Sequence, residues 1–167
     1  MTKTLLLMRH AKSSWKDKSL PDIKRPLKKR GEEAAERIGR TLRDTGFVPN
    51  LIISSPAKRT RQTAEIVAKA AHYKGEIEYV DSFYMGEPND FYTRLKQLPR
   101  EADKVMVVGH NPGLEALLQH LDGHVDALPT GALALLKLDL KDWSELDMST
   151  AGQLIAFWDP SRDEKKK

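Results

Sequence analysis

Four side chains stand where the chain changes from an apolar run to a loop, and their types suit the transfer of a phosphoryl group. Arg9 and His10 follow Leu5-Leu6-Leu7-Met8, His110 follows Val105-Met106-Val107-Val108-Gly109, and Arg59 lies just past Leu51-Ile52-Ile53 and Ser54-Ser55-Pro56. A guanidinium meets phosphate oxygens two at a time, and oriented amides at a helix start add to the attraction. The charge of a transferring phosphoryl group spreads over three oxygens, so positioned cations supply much of the catalysis, a part that falls here to Arg9, Arg59 and His110. The remaining need is a nucleophile, and an imidazole with one unprotonated nitrogen is a competent one. We read His10 in that role, kept neutral by two neighbouring arginines; its attack would give a phosphohistidine that water then hydrolyses. No set of acidic ligands accompanies the cluster, so neither a metal nor another cofactor is expected.

For these residues to meet, the strands that precede them must lie side by side. Short apolar runs bounded by turn residues read as buried parallel strands, and open α/β sheets bind ligands just past the carboxyl ends of such strands. Strands are expected at Leu5 to Met8, Leu51 to Ile53, Ile77 to Val80, Lys104 to Val108, Ala132 to Leu138 and Gln153 to Trp158. Three- and four-residue apolar spacing predicts a helix over about 28 to 45, with Gly46 as its C-terminal cap. Ser55-Pro56 and Asn111-Pro112 each place a capping residue before a proline, starting helices that run to about Tyr73 and through Leu121. A further helix is expected over Glu87 to Leu98, with loops at Ala11 to Pro26 and Asp139 to Thr150. This alternation predicts a single-domain α/β fold, a three-layer α/β/α sandwich with a mostly parallel central sheet and last strands that are antiparallel or mixed.

The bulk properties agree. The chain has 167 residues, 40% of them hydrophobic, which suits one domain over 1–160, followed by a charged tail over 161–167. There is no cysteine, which excludes disulfides, thiolate metal sites and cysteine nucleophiles. Four consecutive apolar residues before Arg9 are far too few for a signal or membrane-spanning segment, so a cytoplasmic monomer with no membrane partner is expected. The net charge of +4 is too small, and aromatic residues too sparse in the basic run, for a nucleic-acid partner. Between Lys12 and Arg30, however, eight basic side chains face only Asp17 and Asp22, a local field for an anionic substrate or an ordinary solvated loop.

Leu-Leu-Met-Arg-His at the first strand, Ser-Ser-Pro with Arg59-Thr60-Arg61-Gln62-Thr63-Ala64 after the second, and Val-Gly-His-Asn-Pro-Gly after the fourth resemble the histidine phosphatase superfamily, also called phosphoglycerate-mutase-like. Within it, Arg9 to Trp15 (Arg-His-Ala-Lys-Ser-Ser-Trp) and Asp22 with Arg25-Pro26-Leu27 and Arg30-Gly31 are similar to SixA-type phosphohistidine phosphatases. The resemblance implies His10 as the phosphorylated nucleophile, Arg9 and Arg59 as clamps, and His110 as a second phosphate-contacting histidine. Ala11 stands where much of the superfamily has glycine, which fits the SixA-like branch. Many relatives carry a glutamate general acid after the third strand; here Tyr84 takes that place, leaving Glu87 and Asp81 as candidate acids or as ordinary cap and surface carboxylates. Lys12 and Ser13, next to the nucleophile, and Thr130, before the fifth strand, are candidate substrate contacts.

Other residues have plainer readings. His120 and His124 share a helix-face spacing that zinc could use, yet Asp122-Gly123 between them suggests a helix end. His72 reads as a surface residue at a helix C-terminus, Trp143 and Trp158 as packing residues, and Trp15 as an ordinary loop side chain or, alternatively, one at the substrate entrance. The function expected is a metal-independent phosphohydrolase acting on phosphohistidine in proteins. The alternatives are a phosphatase of a small phosphorylated metabolite and a non-catalytic phosphate-binding module.

Overall fold

Alternation along the strands decides where the helices go. Leu5 and Leu7 turn to one face of the sheet and Leu6 and Met8 to the other, and all four are fully buried, so each face needs a cover. The computed structural model, which describes residues 2–160, has one on each. Among the described residues the sheet comprises β1 (Lys3–Arg9), β2 (Leu51–Ser54), β3 (Ile77–Tyr79), β4 (Lys104–Gly109), β5 (Leu133–Leu138) and β6 (Gly152–Trp158), in the order β3-β2-β4-β1-β5-β6. β1 to β4 are mutually parallel, β5 is antiparallel to β1, and β6 is antiparallel to β5.

Helices α1 (Lys29–Thr45) and α2 (Lys58–Ala70) cover the Leu6 and Met8 face, where Ile38, Leu42, Ala64 and Val67 join Ile52, Met106 and Val108. Helices α3 (Pro88–Leu95) and α4 (Gly113–Leu121) cover the other through Phe91, Leu95, Leu114 and Leu117. The molecule is thus a three-layer α/β/α sandwich, and each fully buried leucine in it contributes about 1.5–3 kcal/mol. A strand apolar on both faces does not fix its own register by hydrophobicity. For β1 its charged start contributes, since Lys3 Nζ donates to Asp103 Oδ1 at 2.9 Å and to the Arg100 carbonyl, just before β4.

Gly46 caps α1 in the left-handed region, with φ of 79°, as its position promised. The two cap-plus-proline starts came out differently. α2 begins at Lys58 because the Ser55 amide still bonds the Val108 carbonyl at 3.0 Å, extending the sheet past β2. It ends at Ala70, short of Tyr73, where His72 turns left-handed with φ of 59°. α4 begins at Gly113, with Pro112 as its cap and Asn111 Oδ1 accepting from Glu115 N at 3.2 Å. α3 is shorter than expected, with Glu87 outside it as the N-cap.

The Asp139 to Thr150 connection holds a 3-10 turn over Trp143–Glu145, and the buried Trp143 donates Nε1–H to the Ala102 carbonyl at 2.6 Å. No helix among the described residues is long and apolar enough to cross a membrane. The charged tail expected at 161–167 lies outside the described residues.

Candidate active site

β2, β4 and β1 are adjacent and parallel, so Ser55, His110 and His10, each just past a strand's carboxyl end, fall side by side. The two imidazole centroids are 5.3 Å apart with their planes tilted by 54°. Backbone bonds fasten His10 on both sides, from its amide to the Gly109 carbonyl at 3.1 Å and from Gly131 N to its own carbonyl at 2.9 Å. His10 Nδ1 lies 2.8 Å from the Ala11 carbonyl. A carbonyl only accepts, so Nδ1 carries the proton and Nε2 keeps its lone pair. His110 Nε2 lies 2.8 Å from Ser55 Oγ, and its Nδ1 is buried with no hydrogen-bond partner.

Arg9 ends β1, and its Nη1 reaches the Leu128 carbonyl at 3.4 Å. Arg59, the second residue of α2, is only 3% exposed. Its Nη1 donates to the Asp22 carbonyl at 2.7 Å and its Nη2 to Asp22 Oδ2 at 2.9 Å. The Nε atoms of both arginines are buried without partners. Asp22 Oδ2 also accepts from the Tyr84 hydroxyl at 2.6 Å, and Oδ1 accepts from Arg25 Nε at 3.1 Å. The Tyr84 ring stands edge-on to His110, centroids 5.5 Å apart.

Burial is the main electrostatic influence on the histidines. It pushes His10 down to about 4, with Arg59, Arg9 and Arg25 adding to the effect and the Ala11 carbonyl opposing it. His110 is pushed down to about 3, again chiefly by burial and then by Arg59 and His10. The arginines invoked from sequence are therefore the lesser cause of a neutral His10. The Tyr84 hydroxyl, assisted by Arg59 and Arg25, holds the Asp22 carboxyl well below the usual carboxylate range. That same hydrogen bond pushes the Tyr84 hydroxyl up. At neutral pH the cluster comprises two uncharged imidazoles, an ionised carboxylate and the guanidinium groups.

Of the residues singled out by sequence, Arg9, His10, Arg59 and His110 come together. The rest have other occupations. Ser13 is buried and its hydroxyl accepts from Arg25 Nη1 at 2.9 Å, which braces the loop. Lys12 is exposed and its carbonyl accepts from Lys28 N; it shares with Thr130 a hollow of about 200 Å³ whose lining includes neither histidine. Glu87 is the N-cap of α3, its amide donating to Asp90 Oδ2 at 2.8 Å, and Asp81 opens a 3-10 turn. His120 and His124 are exposed on either side of the end of α4, and no group of three metal-ligating side chains forms among the described residues. Trp15 is 66% exposed with the Arg25 guanidinium 3.5 Å from its ring centroid.

Sequence reasoning missed the parts played by Ser55, Thr63 and the Asp22 carboxylate. Thr63 Oγ1 accepts from Ala11 N at 3.0 Å and donates to the Arg59 carbonyl at 2.7 Å. Asp22 carried a signal, being one of only two acids in a strongly basic run.

The family model for the histidine phosphatase superfamily (branch 1) matches residues 5–83. An uncharacterised chloroplastic protein of Arabidopsis thaliana is 34% identical over 154 residues, which are 87% of this chain and 71% of that protein. Two solved structures superpose with TM-scores of 0.81. One is of the protein designated phosphohistidine phosphatase SixA in Agrobacterium tumefaciens, 30% identical and covering 95% of this chain and 98% of that one. The other is of the protein so designated in Nakamurella multipartitia, 26% identical and covering 96% and 97%. With its strand order, its two strand-end histidines and these relatives, the chain belongs to the histidine phosphatase superfamily, in the SixA-type branch.

Proposed function

We propose that the protein hydrolyses phosphorylated substrates through a covalent intermediate on His10, and that its substrate is phosphohistidine carried on a protein. The observation that carries this reading is the state of His10. It is a buried imidazole whose Nδ1 proton is committed to Ala11, whose Nε2 lone pair is free at neutral pH, and which faces a second neutral imidazole 5.3 Å away. Nε2 attacks phosphorus while the bond from phosphorus to the leaving nitrogen breaks, and that nitrogen keeps the electron pair. Water then attacks the phosphohistidine, the pair returns to Nε2, and orthophosphate leaves. One proton of the water ends on the departed nitrogen.

The donors needed for the transferring group are present in kind. We assign Ser55 as the donor to His110 Nε2, 2.8 Å away, since its Oγ already accepts from Ala57 N at 3.3 Å; the ring's own proton then sits on Nδ1. That N–H and the Nε–H groups of Arg9 and Arg59 are buried donors with no partner inside the protein, suited to an anion that brings its own acceptors. The protein substrate is supported by likeness to the SixA structures and by the state of the acids. Asp22 is ionised, Glu87 is a helix cap, and both imidazoles are deprotonated, so a leaving group that needs little proton assistance is favoured over an alkoxide.

The test is brief incubation with a protein phosphorylated on histidine with radiolabelled phosphate. Label is expected on the enzyme, stable to base and lost in acid, and absent from His10→Ala. Sugar and glycerate phosphates should turn over far more slowly. If they turn over orders of magnitude faster, the protein-substrate reading fails; binding without any labelled enzyme would leave a phosphate-binding module.

A further inference from the structure

We infer that Asp22 sets how tightly the site holds phosphate, by occupying Arg59 until a phosphoryl group displaces it. This rests on the proposed role of Arg59 as a phosphate clamp. Both terminal nitrogens of Arg59 are committed to one residue, Nη1 to the Asp22 carbonyl and Nη2 to Oδ2. A guanidinium grips a phosphate with two adjacent donors. The edge made by Nε and Nη2 has one member, Nε, buried with no partner, so it needs only the Nη2 bond to be given up.

That bond is the one the structure makes easy to release. When Nη2 leaves, Oδ2 keeps the Tyr84 hydroxyl at 2.6 Å and Oδ1 keeps Arg25 Nε at 3.1 Å. Arg25 stays anchored by Ser13 Oγ at 2.9 Å and the Ser14 carbonyl at 3.3 Å, so the carboxylate is never left unpaired. Its side chain is 44% exposed, which lets water complete the exchange. Asp22 is a positioning residue in two respects. In the free enzyme it holds the Arg59 fork outstretched, and in the loaded enzyme it stays beside the phosphate as a like charge that favours departure of orthophosphate.

Two neighbouring variants should move orthophosphate affinity in opposite directions. Asp22→Asn keeps the size of the side chain and an acceptor for Tyr84 but removes the charge. The competitive inhibition constant of orthophosphate is expected to fall about tenfold, the scale of one like charge removed from a partly exposed site. KM should fall with it and kcat should drop as product leaves more slowly. Tyr84→Phe removes the partner on which Oδ2 falls back, so the carboxylate stays on Arg59 and the same constant should rise about threefold or more. A damaged fold would weaken binding in both variants, so the opposed signs separate this effect from general harm. Calorimetric titration with orthophosphate checks the constants directly. An Asp22→Asn protein of unchanged melting temperature that binds orthophosphate no more tightly than wild type overturns the inference, as does a Tyr84→Phe protein with unchanged or tighter binding. Wild-type protein that ignores orthophosphate altogether overturns the clamp role of Arg59, and this inference with it.

Discussion

The Thr63 hydroxyl lies 3.0 Å from the Ala11 amide and accepts its proton, while giving its own to the Arg59 carbonyl at 2.7 Å. One side chain thus joins the backbone behind His10 to the helix that carries Arg59. Thr63→Val keeps the volume and leaves the buried Ala11 N–H without a partner, which should cost about 1–3 kcal/mol in urea denaturation. Turnover should fall about tenfold or more, because sub-ångström shifts between reacting groups are expensive. Unchanged turnover would separate Thr63 from the alignment of the site.

The histidines make stability depend on pH. Each has a folded pKa, about 4 for His10 and about 3 for His110, below its ordinary 6.5, so the unfolded chain binds their protons first. Their contribution is fully present above about 6.5 and is lost progressively as pH falls through about 4 to about 3. The Asp22 carboxyl, also depressed, adds stability above its ordinary 3.8 that is lost below it. Denaturation midpoints should be level between pH 7 and 8 and decline steadily from about 6.5 downward.

Chemistry should be less sensitive than stability in the same range. His10 stays unprotonated down to about 4, so phosphoenzyme should form as fast at pH 5.5 as at 7.5 in single-turnover labelling. An acid limb centred near 6.5 would mean that the ring is not shielded as described.

Gly31 tests the support beneath the nucleophile's loop. A Cβ at this position would lie 2.2 Å from the Lys12 carbonyl oxygen, a backbone atom with little room to yield. Gly31→Ala should destabilise the protein by about 1–3 kcal/mol by overpacking and lower turnover by shifting residues 11–13. Thermal unfolding and turnover measured together check both halves.

Ser55→Ala should leave His110 without its Nε2 partner. Turnover is expected to fall by up to about a hundredfold through loss of orientation. The ¹⁵N shifts of the His110 ring should move as the tautomer favoured by the Ser55 bond loses its support.

Much of the site was legible because its residues terminate apolar runs. Leu5 to Met8 and Val105 to Val108 are buried on both faces, which made them strands by composition alone, and Arg9, His10 and His110 were located by where those runs stop. Helix starts were less legible, because the cap residues also serve distant partners. Ser55 continues the sheet and meets His110, and Asn111 bonds the Leu128 carbonyl and Glu115. Asp22 reaches Arg59 across 37 residues and Tyr84 across 62, separations at which local spacing carries no information. Nearness of Ser13 to His10 in sequence gave no hint of its partner Arg25, twelve residues on.

β1 lies inside the sheet, bonded along its length to β4 on one side and β5 on the other, and Arg9 pairs with Gly109 next to the second histidine. Amides of such a strand exchange with solvent only when the whole molecule opens. The segment from Ser13 to Leu27, held by side chains, turn bonds and one isolated bridge and not by a sheet, is expected to open at lower cost. Local opening, or a proteolytic nick there, would therefore strip away the Asp22 brace while the paired imidazoles kept their mutual placement.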